Sequence, residues 1–513
     1  MLIASFCLCA TLLTDLVAAD VAKPVRPAGV DGQPAWNAHA MWFMYPPTFD
    51  IPKFAFDPKE VLLRVLDAKG ALHTVKCAKE GAASLEGVWG EIPEGLFTVF
   101  FDSARTMHEP LGAKVYWKAA PFRPGAYPKA PRSYAEAAKK LYDYLFTLDT
   151  LRSFRETGNP DPKYKLNSYP SKMHAATAGV MMKYAELVPE RREESLKLAR
   201  ACLDYLLARS QPADAPLAHF PPTYEGKEYT AAEYAGQNML IYPSGVGGAC
   251  LDFHRLTGER KYLDAALGIA ATYAKLQGED GTWYLKMNEK DGRPIGTNRL
   301  LPGGVIGFMQ KLHKTTGDAK WRDIADRAFR YYEENPLKTW NWEGQFEDVP
   351  PTERYVNLSK HPPCAVAMMI LERWPDDPKR RAQARELLRF SEDQFVCWER
   401  PFGAPRMPVF DTWDEWVTLP AVVEQYYYRE PIDASSDKLI NTYLKFYEVE
   451  GNPLDLAKAR ALGDALVRVQ RENGRIQTVL SARGEDVGCD WVNCMIATAG
   501  TLQRLASFDG KGK

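Results

Sequence analysis

The chain has 513 residues, 46% of them hydrophobic and 26% charged, and a formal net charge of -1. That length exceeds one ordinary core and predicts a small domain plus a large one, or one repetitive domain. The near-neutral balance, with no run of Lys and Arg interleaved with aromatics, argues against a nucleic-acid surface.

The first residues, MLIASFCLCATLLTDLVAAD, join an apolar run to Val17-Ala18-Ala19. This is the pattern of a secretory signal over 1–19, cleaved before Asp20, and it predicts a secreted or periplasmic protein. No later stretch is long and apolar enough to span a bilayer. The cysteines after the signal are scattered and read mostly as core thiols; Cys489 and Cys494 are close enough to suggest a bridge, but a helix start there gives poor geometry. With no HExxH, CxxC or acidic calcium loop, neither a metal nor another cofactor is expected.

From about 36 to 120 the runs EVLLRVLDA, ALHTVKCA, GLFTVFFDS and KVYWKAAPF alternate with turn residues. They predict a small β-sandwich-like domain over 20–125. The proline-rich PFRPGAYPKAPRSY then marks a boundary.

Beyond Ser133 the pattern is helical and it repeats. RLTGERKYLDAALGIAATYAKL (255–276) and HKTTGDAKWRDIADRAFRYYEE (313–334) share a helix end, a Thr-Gly stop and a second helix with a Lys-Tyr or Lys-Trp start. Tyr262, Ala266, Ile269 and Tyr273, and Trp321, Ile324, Ala325, Ala328 and Tyr332, fall on one helical face. Each unit is an αα-hairpin. Related units at 187–207, 372–390 and 448–469 give six outer helices, starting near 133, 189, 260, 319, 377 and 453, alternating with inner ones near 171, 243, 301, 361, 434 and 491. Six pairs predict closure into a ring.

These TGxxK[YW] turns, with the helix exits KLQGEDGTW (275–283) and VQRENGRI (469–476), resemble the six-hairpin (α/α)6 toroid of many glycosidases, polysaccharide lyases and sugar epimerases. The resemblance covers 133–508 at the level of fold and implies a mainly α protein, a toroid preceded by the β-domain. It implies a polysaccharide or oligosaccharide substrate; no nucleic acid or membrane partner is expected.

In such a ring the loops entering the inner helices converge on one mouth, so the site is sought there. Trp340 and Trp342 of TWNWEGQFEDV, with Trp413, Trp491 and Tyr355, are expected to stack on sugar faces. Lys172, Asn298, Arg299, Asn357 and Lys360 are expected to bind hydroxyls or a uronate. Glycoside hydrolysis needs one protonated and one ionised carboxyl. Asp411, Asp414 and Glu415 of FDTWDEW lead the candidates, with Glu347, Asp348 and Asp490 opposite; the neighbouring tryptophans would raise a carboxyl by desolvation, whereas helix capping is the competing role for Asp411 or Asp414. Elimination or epimerisation would instead use a Tyr or His base, for which His174, Tyr242 and His361 are the candidates. The leading expectation is a glycoside hydrolase acting on a uronate-containing glycan; a lyase or C5-epimerase, or a non-catalytic glycan-binding protein, are the alternatives.

Overall fold

The computed structural model describes residues 122–339, 341–349, 357–398, 416–425, 430–481 and 490–510, and short strands before them. Among those strands, 62–66, 72–76, 98–102 and 115–116 form an antiparallel sheet, and 50–51 pairs with 83–84. The rest of the expected sandwich domain, like the expected signal segment, lies outside the described residues.

Twelve helices of 13 to 18 residues alternate along the described remainder. The outer set is α1 (Tyr134–Thr147), α3 (Arg192–Ala208), α5 (Arg260–Leu276), α7 (Ala319–Glu334), α9 (Pro378–Phe395) and α11 (Pro453–Arg468). The inner set is α2 (Pro170–Leu187), α4 (Pro243–Thr257), α6 (Gly303–Thr316), α8 (His361–Arg373), α10 (Asp433–Glu450) and α12 (Val492–Ala506). Each inner helix packs on its neighbours in the order α2, α4, α6, α8, α10, α12 and back to α2, and α1 completes the outer layer by packing on α12. The ring is closed, as the six expected pairs require.

Local chemistry sets the hairpins. Helix α4 ends at Gly258 and α6 at Gly317, both left-handed, and the same fittings recur at each end. His254 Nδ1 lies 3.0 Å from the Glu259 carbonyl, and His313 Nδ1 lies 2.9 Å from that of Asp318. The Thr257 and Thr316 hydroxyls fold back on the carbonyls of Phe253 and Leu312. Asp318, Asp377 and Asn452 then cap the next outer helices by accepting from backbone N–H groups.

The two Gln-x-x-x-Gly exits are likewise one device used twice. Gln277 donates to the Gly281 carbonyl at 2.7 Å and to that of Ile324 in the next outer helix; Gln470 donates to the carbonyls of Gly474 and, across the ring's seam, Ala137. A Cβ at Gly281 would stand 2.2 Å from the Arg327 carbonyl oxygen, and one at Gly474 would stand 2.1 Å from that of Lys140. Only glycine lets these turns press against the neighbouring helix. Gly247 plays a packing role as well: its Cβ would meet Phe308 at 2.4 Å, so the GVGG run serves the close α4–α6 contact.

Candidate functional site

The loops entering the inner helices are stitched together by single β-bridges: Glu343 with Leu358, Ser359 with Gln425, Val423 with Pro431, and Ile432 with Val479. Residues 341–349 follow neither helical nor strand period because they serve this belt. Gly344 N–H donates to the Asn357 carbonyl and Ser359 N–H to that of Trp342, while the Gln345 amide bridges the backbones of Arg299 and Leu301.

The belt delivers Glu347 to the starts of two inner helices. Its side chain is 1% exposed, with Lys172 of α2 on one carboxylate oxygen and the Tyr242 hydroxyl, at the entry to α4, on the other. The Tyr224 hydroxyl donates to its carbonyl at 3.1 Å. Burial alone would raise this carboxyl; the Lys172 ammonium and the two hydrogen bonds outweigh burial and hold it below its ordinary value. Tyr242 is driven the other way, well above an ordinary phenol, by burial and by the Glu347 charge.

Asp348, the next residue, opens to solvent. Even so, surrounding protein and the Glu347 charge push it up to about 6, against the pull of Lys172. Below about pH 6, two consecutive carboxyls are thus held in opposite charge states.

Around them stand groups from the remaining entries. Lys360, at the start of α8, is wholly buried: it bonds Glu424 and Ser435 Oγ (2.7 Å), and burial lowers it to about 8. His361 beside it is partly accessible and lies 5.7 Å from the Phe346 ring, and burial with the Lys360, Lys438 and Lys172 charges keeps it neutral. Asp433 and Asp437 open α10 with almost no exposure. Burial with the Asp437 charge raises Asp433 well above a normal carboxylate, and burial raises Asp437 to about 7. Trp491 is half-buried at the entry to α12, against Ile432 and Val479.

Several expectations need correction. Trp342 has no exposed surface and lies against Tyr332, 6.3 Å between ring centres, so it is core and offers no face to a sugar. Lys360 is consumed by its buried network and Asn357 by Gln425 at 2.9 Å. Arg299 is clamped by Asp280 and stacked 4.2 Å over Tyr284. His174 packs edge-on against Phe154 and Tyr205 of the outer layer and, lowered to about 3 by burial, stays neutral. Asp490 is held by Arg475 and lies 3.4 Å from the Tyr144 hydroxyl of α1. Asn298 is partly exposed and its carbonyl accepts from Leu285 N–H, which leaves the expectation for its side chain standing. Trp340, Tyr355, Asp411, Trp413, Asp414 and Glu415 lie outside the described residues. Among the described cysteines, Cys494 is a free, buried thiol, as are Cys202, Cys250, Cys364 and Cys397.

Glu424, Asp433, Asp437, Lys286, Tyr224 and Tyr234 were not singled out by the sequence. One signal was available: in REPIDASSDK (429–438), at the inner helix expected near 434, two aspartates four apart share a helix face.

The geometry defines a closed six-hairpin (α/α)6 toroid with an acidic mouth. No protein-family profile matches the chain, and no curated protein matches it in sequence. Solved structures share its fold. Cellobiose 2-epimerase from Spirochaeta thermophila is 14% identical, with 73% of this chain and 98% of that one aligned and a TM-score of 0.51. A D-mannose isomerase is 10% identical over 74% of this chain and 99% of its own, at 0.52. An unsaturated glucuronyl hydrolase specific for heparin is 10% identical over 73% and 97%, at 0.47. At these identities the likeness is one of fold.

Proposed function

We propose that the protein is a secreted glycoside hydrolase acting on a uronate-containing glycan, with Asp348 as the general acid. The observation that carries the reading is the split between neighbours. Glu347 is kept ionised by Lys172 and Tyr242, and its charge helps keep Asp348 protonated up to about pH 6 at a solvent-reached position. A pair of carboxyls pushed apart in this way is what acid-assisted glycosidic cleavage uses.

In this reading the protonated Asp348 gives its proton to the glycosidic oxygen as the bond to the anomeric carbon breaks. Glu347, with both oxygens engaged, is a positioning residue. The opposing carboxylate is proposed to come from Asp411 or Asp414. Lys172, 26% exposed, is the cation best placed to meet a uronate.

A Tyr-base elimination is disfavoured, because the Tyr242 hydroxyl already donates to Glu347 and its proton is held tightly. One observation favours a second reading, an epimerase: His361 is neutral, partly accessible and at an inner-helix start. Incubation with uronate-containing and neutral oligosaccharides, following reducing ends and ultraviolet absorbance together, tests all three. New reducing ends without absorbance, abolished in Asp348→Asn, support hydrolysis. New absorbance means elimination and overturns the proposal. An altered sugar without cleavage, lost in His361→Ala, moves the assignment to epimerisation.

A further inference from the structure

Lys286 is the most expensive side chain near the mouth. It sits on the short strand 286–288, which pairs antiparallel with 237–239, is 3% exposed, and its Nζ has no hydrogen-bond partner among the described residues. A buried, unbonded ammonium costs several kcal/mol in an apolar setting, on the order of the whole net stability of a small domain. What it has instead is aromatic: Nζ lies 3.4 Å from the Tyr234 ring centre and 5.6 Å from that of Tyr224. Ring faces compensate a desolvated cation only in part.

The cage is tied to the acidic site. Tyr224 donates its hydroxyl to the Glu347 carbonyl, and Glu347 and Asp348 are the two anions whose fields reach Lys286. The acid next after its own strand, Glu289, is engaged by Asn238 at 3.3 Å. The other groups facing the two carboxyls are Lys172 from α2, Tyr242, Tyr169 and Glu424. Of the two lysines, Lys172 makes a direct bond to Glu347, and Lys286 acts through space; burial lowers it to about 8 against the pull of the two acids, so it is charged at the pH where Asp348 titrates.

We propose that Lys286 is a positioning residue of the acidic site: its tyrosine-caged ammonium, joined to Glu347 through Tyr224, supplies a positive charge to the site at a cost in stability. The site's role as a glycosidase centre rests on the reading above, but the Lys286 charge does not depend on it. Methionine has nearly the same shape and no charge, so Lys286→Met separates the two contributions. Removing the cation should move the Asp348 titration midpoint upward from about 6, followed by carboxyl ¹³C resonances assigned with Asp348→Asn. The same change should raise Tm, since the unbonded ammonium is gone.

A merely structural lysine predicts the opposite pair of results, a lowered Tm and an unmoved Asp348 midpoint, and that outcome overturns the proposal. If Lys286→Met does not fold, Tyr234→Leu opens the cage to water, and the screened charge should shift the midpoint the same way by less; no movement there overturns it too. Because the titration needs no substrate, a moved midpoint with a silent glycan panel would sink the hydrolase reading and leave the Lys286 inference standing.

Discussion

Two acid pairs line the same mouth and are treated in opposite ways. Glu347 and Asp348 sit on the belt, where a lysine, a tyrosine and open solvent sort them into one anion and one acid. Asp433 and Asp437 sit four residues apart on α10, where Thr498 is 2.9 Å from one and 3.4 Å from the other, and the Oδ1 of each is left unbonded. Buried charge is retained where a cation is within bonding reach, and otherwise the proton is retained instead. Of the two pairs, only the first has a carboxyl that also meets water, and the proposed chemistry is placed there for that reason.

The largest effect should come from breaking the sorted pair at its accessible member. Asp348→Asn removes the transferable proton while keeping shape, and kcat/KM on a cleaved glycan should fall by about 10²–10⁴-fold with little change in Tm. In the unaltered protein the acid must be protonated, so activity should decline as pH rises through about 6. A flat profile from pH 5 to 8 would remove Asp348 from that role.

Next is the anion's partner. Lys172→Met leaves Glu347 buried without its cation, and removing one member of such a pair costs about 3–5 kcal/mol. Chemical denaturation at pH 7 should show this loss. Glu347 would then take up a proton, so the deficit should shrink at acid pH; a deficit that does not change with pH would mean the pair is not electrostatically matched.

The hairpin turns and the Gln-x-x-x-Gly exits were legible in the sequence because each is local: the donor, the stop and the cap lie within a few residues of one another, and two copies can be compared. Glu347 was legible as one of a run of acids and aromatics without period. Trp342 was misread for the same reason, since sequence gives the indole but not the Tyr332 ring that covers it. Lys286, Glu424 and the α10 aspartates acquire meaning only when ring closure brings five inner-helix entries together. No spacing rule connects Lys172 with Glu347 across 175 residues.

The second pair predicts the reverse pH behaviour. Asp437 has a folded-state value near 7, above its ordinary 3.8, so the folded chain holds the proton more tightly than the unfolded one. Its contribution is fully present below about pH 4 and is lost as pH rises toward 7. Asp437→Asn should therefore stabilise the protein at pH 8, by on the order of a few kcal/mol, and leave it unchanged near pH 4. Stabilisation equal at both values would place the effect in packing.

The smallest expected effect isolates Thr498, the one hydroxyl between the α10 aspartates. Thr498→Val is close to isosteric and removes a single donor, costing about 1 kcal/mol. The loss should grow above pH 7, where Asp437 ionises and each hydroxyl donor, Thr498 as well as Thr501, matters more to a carboxylate than to a neutral acid. Glycan cleavage should keep the same pH profile, because Thr498 touches the proton-holding pair and not the proton-giving one. A shifted activity profile in Thr498→Val would show that the two pairs titrate as one cluster, and the division between them would then fail.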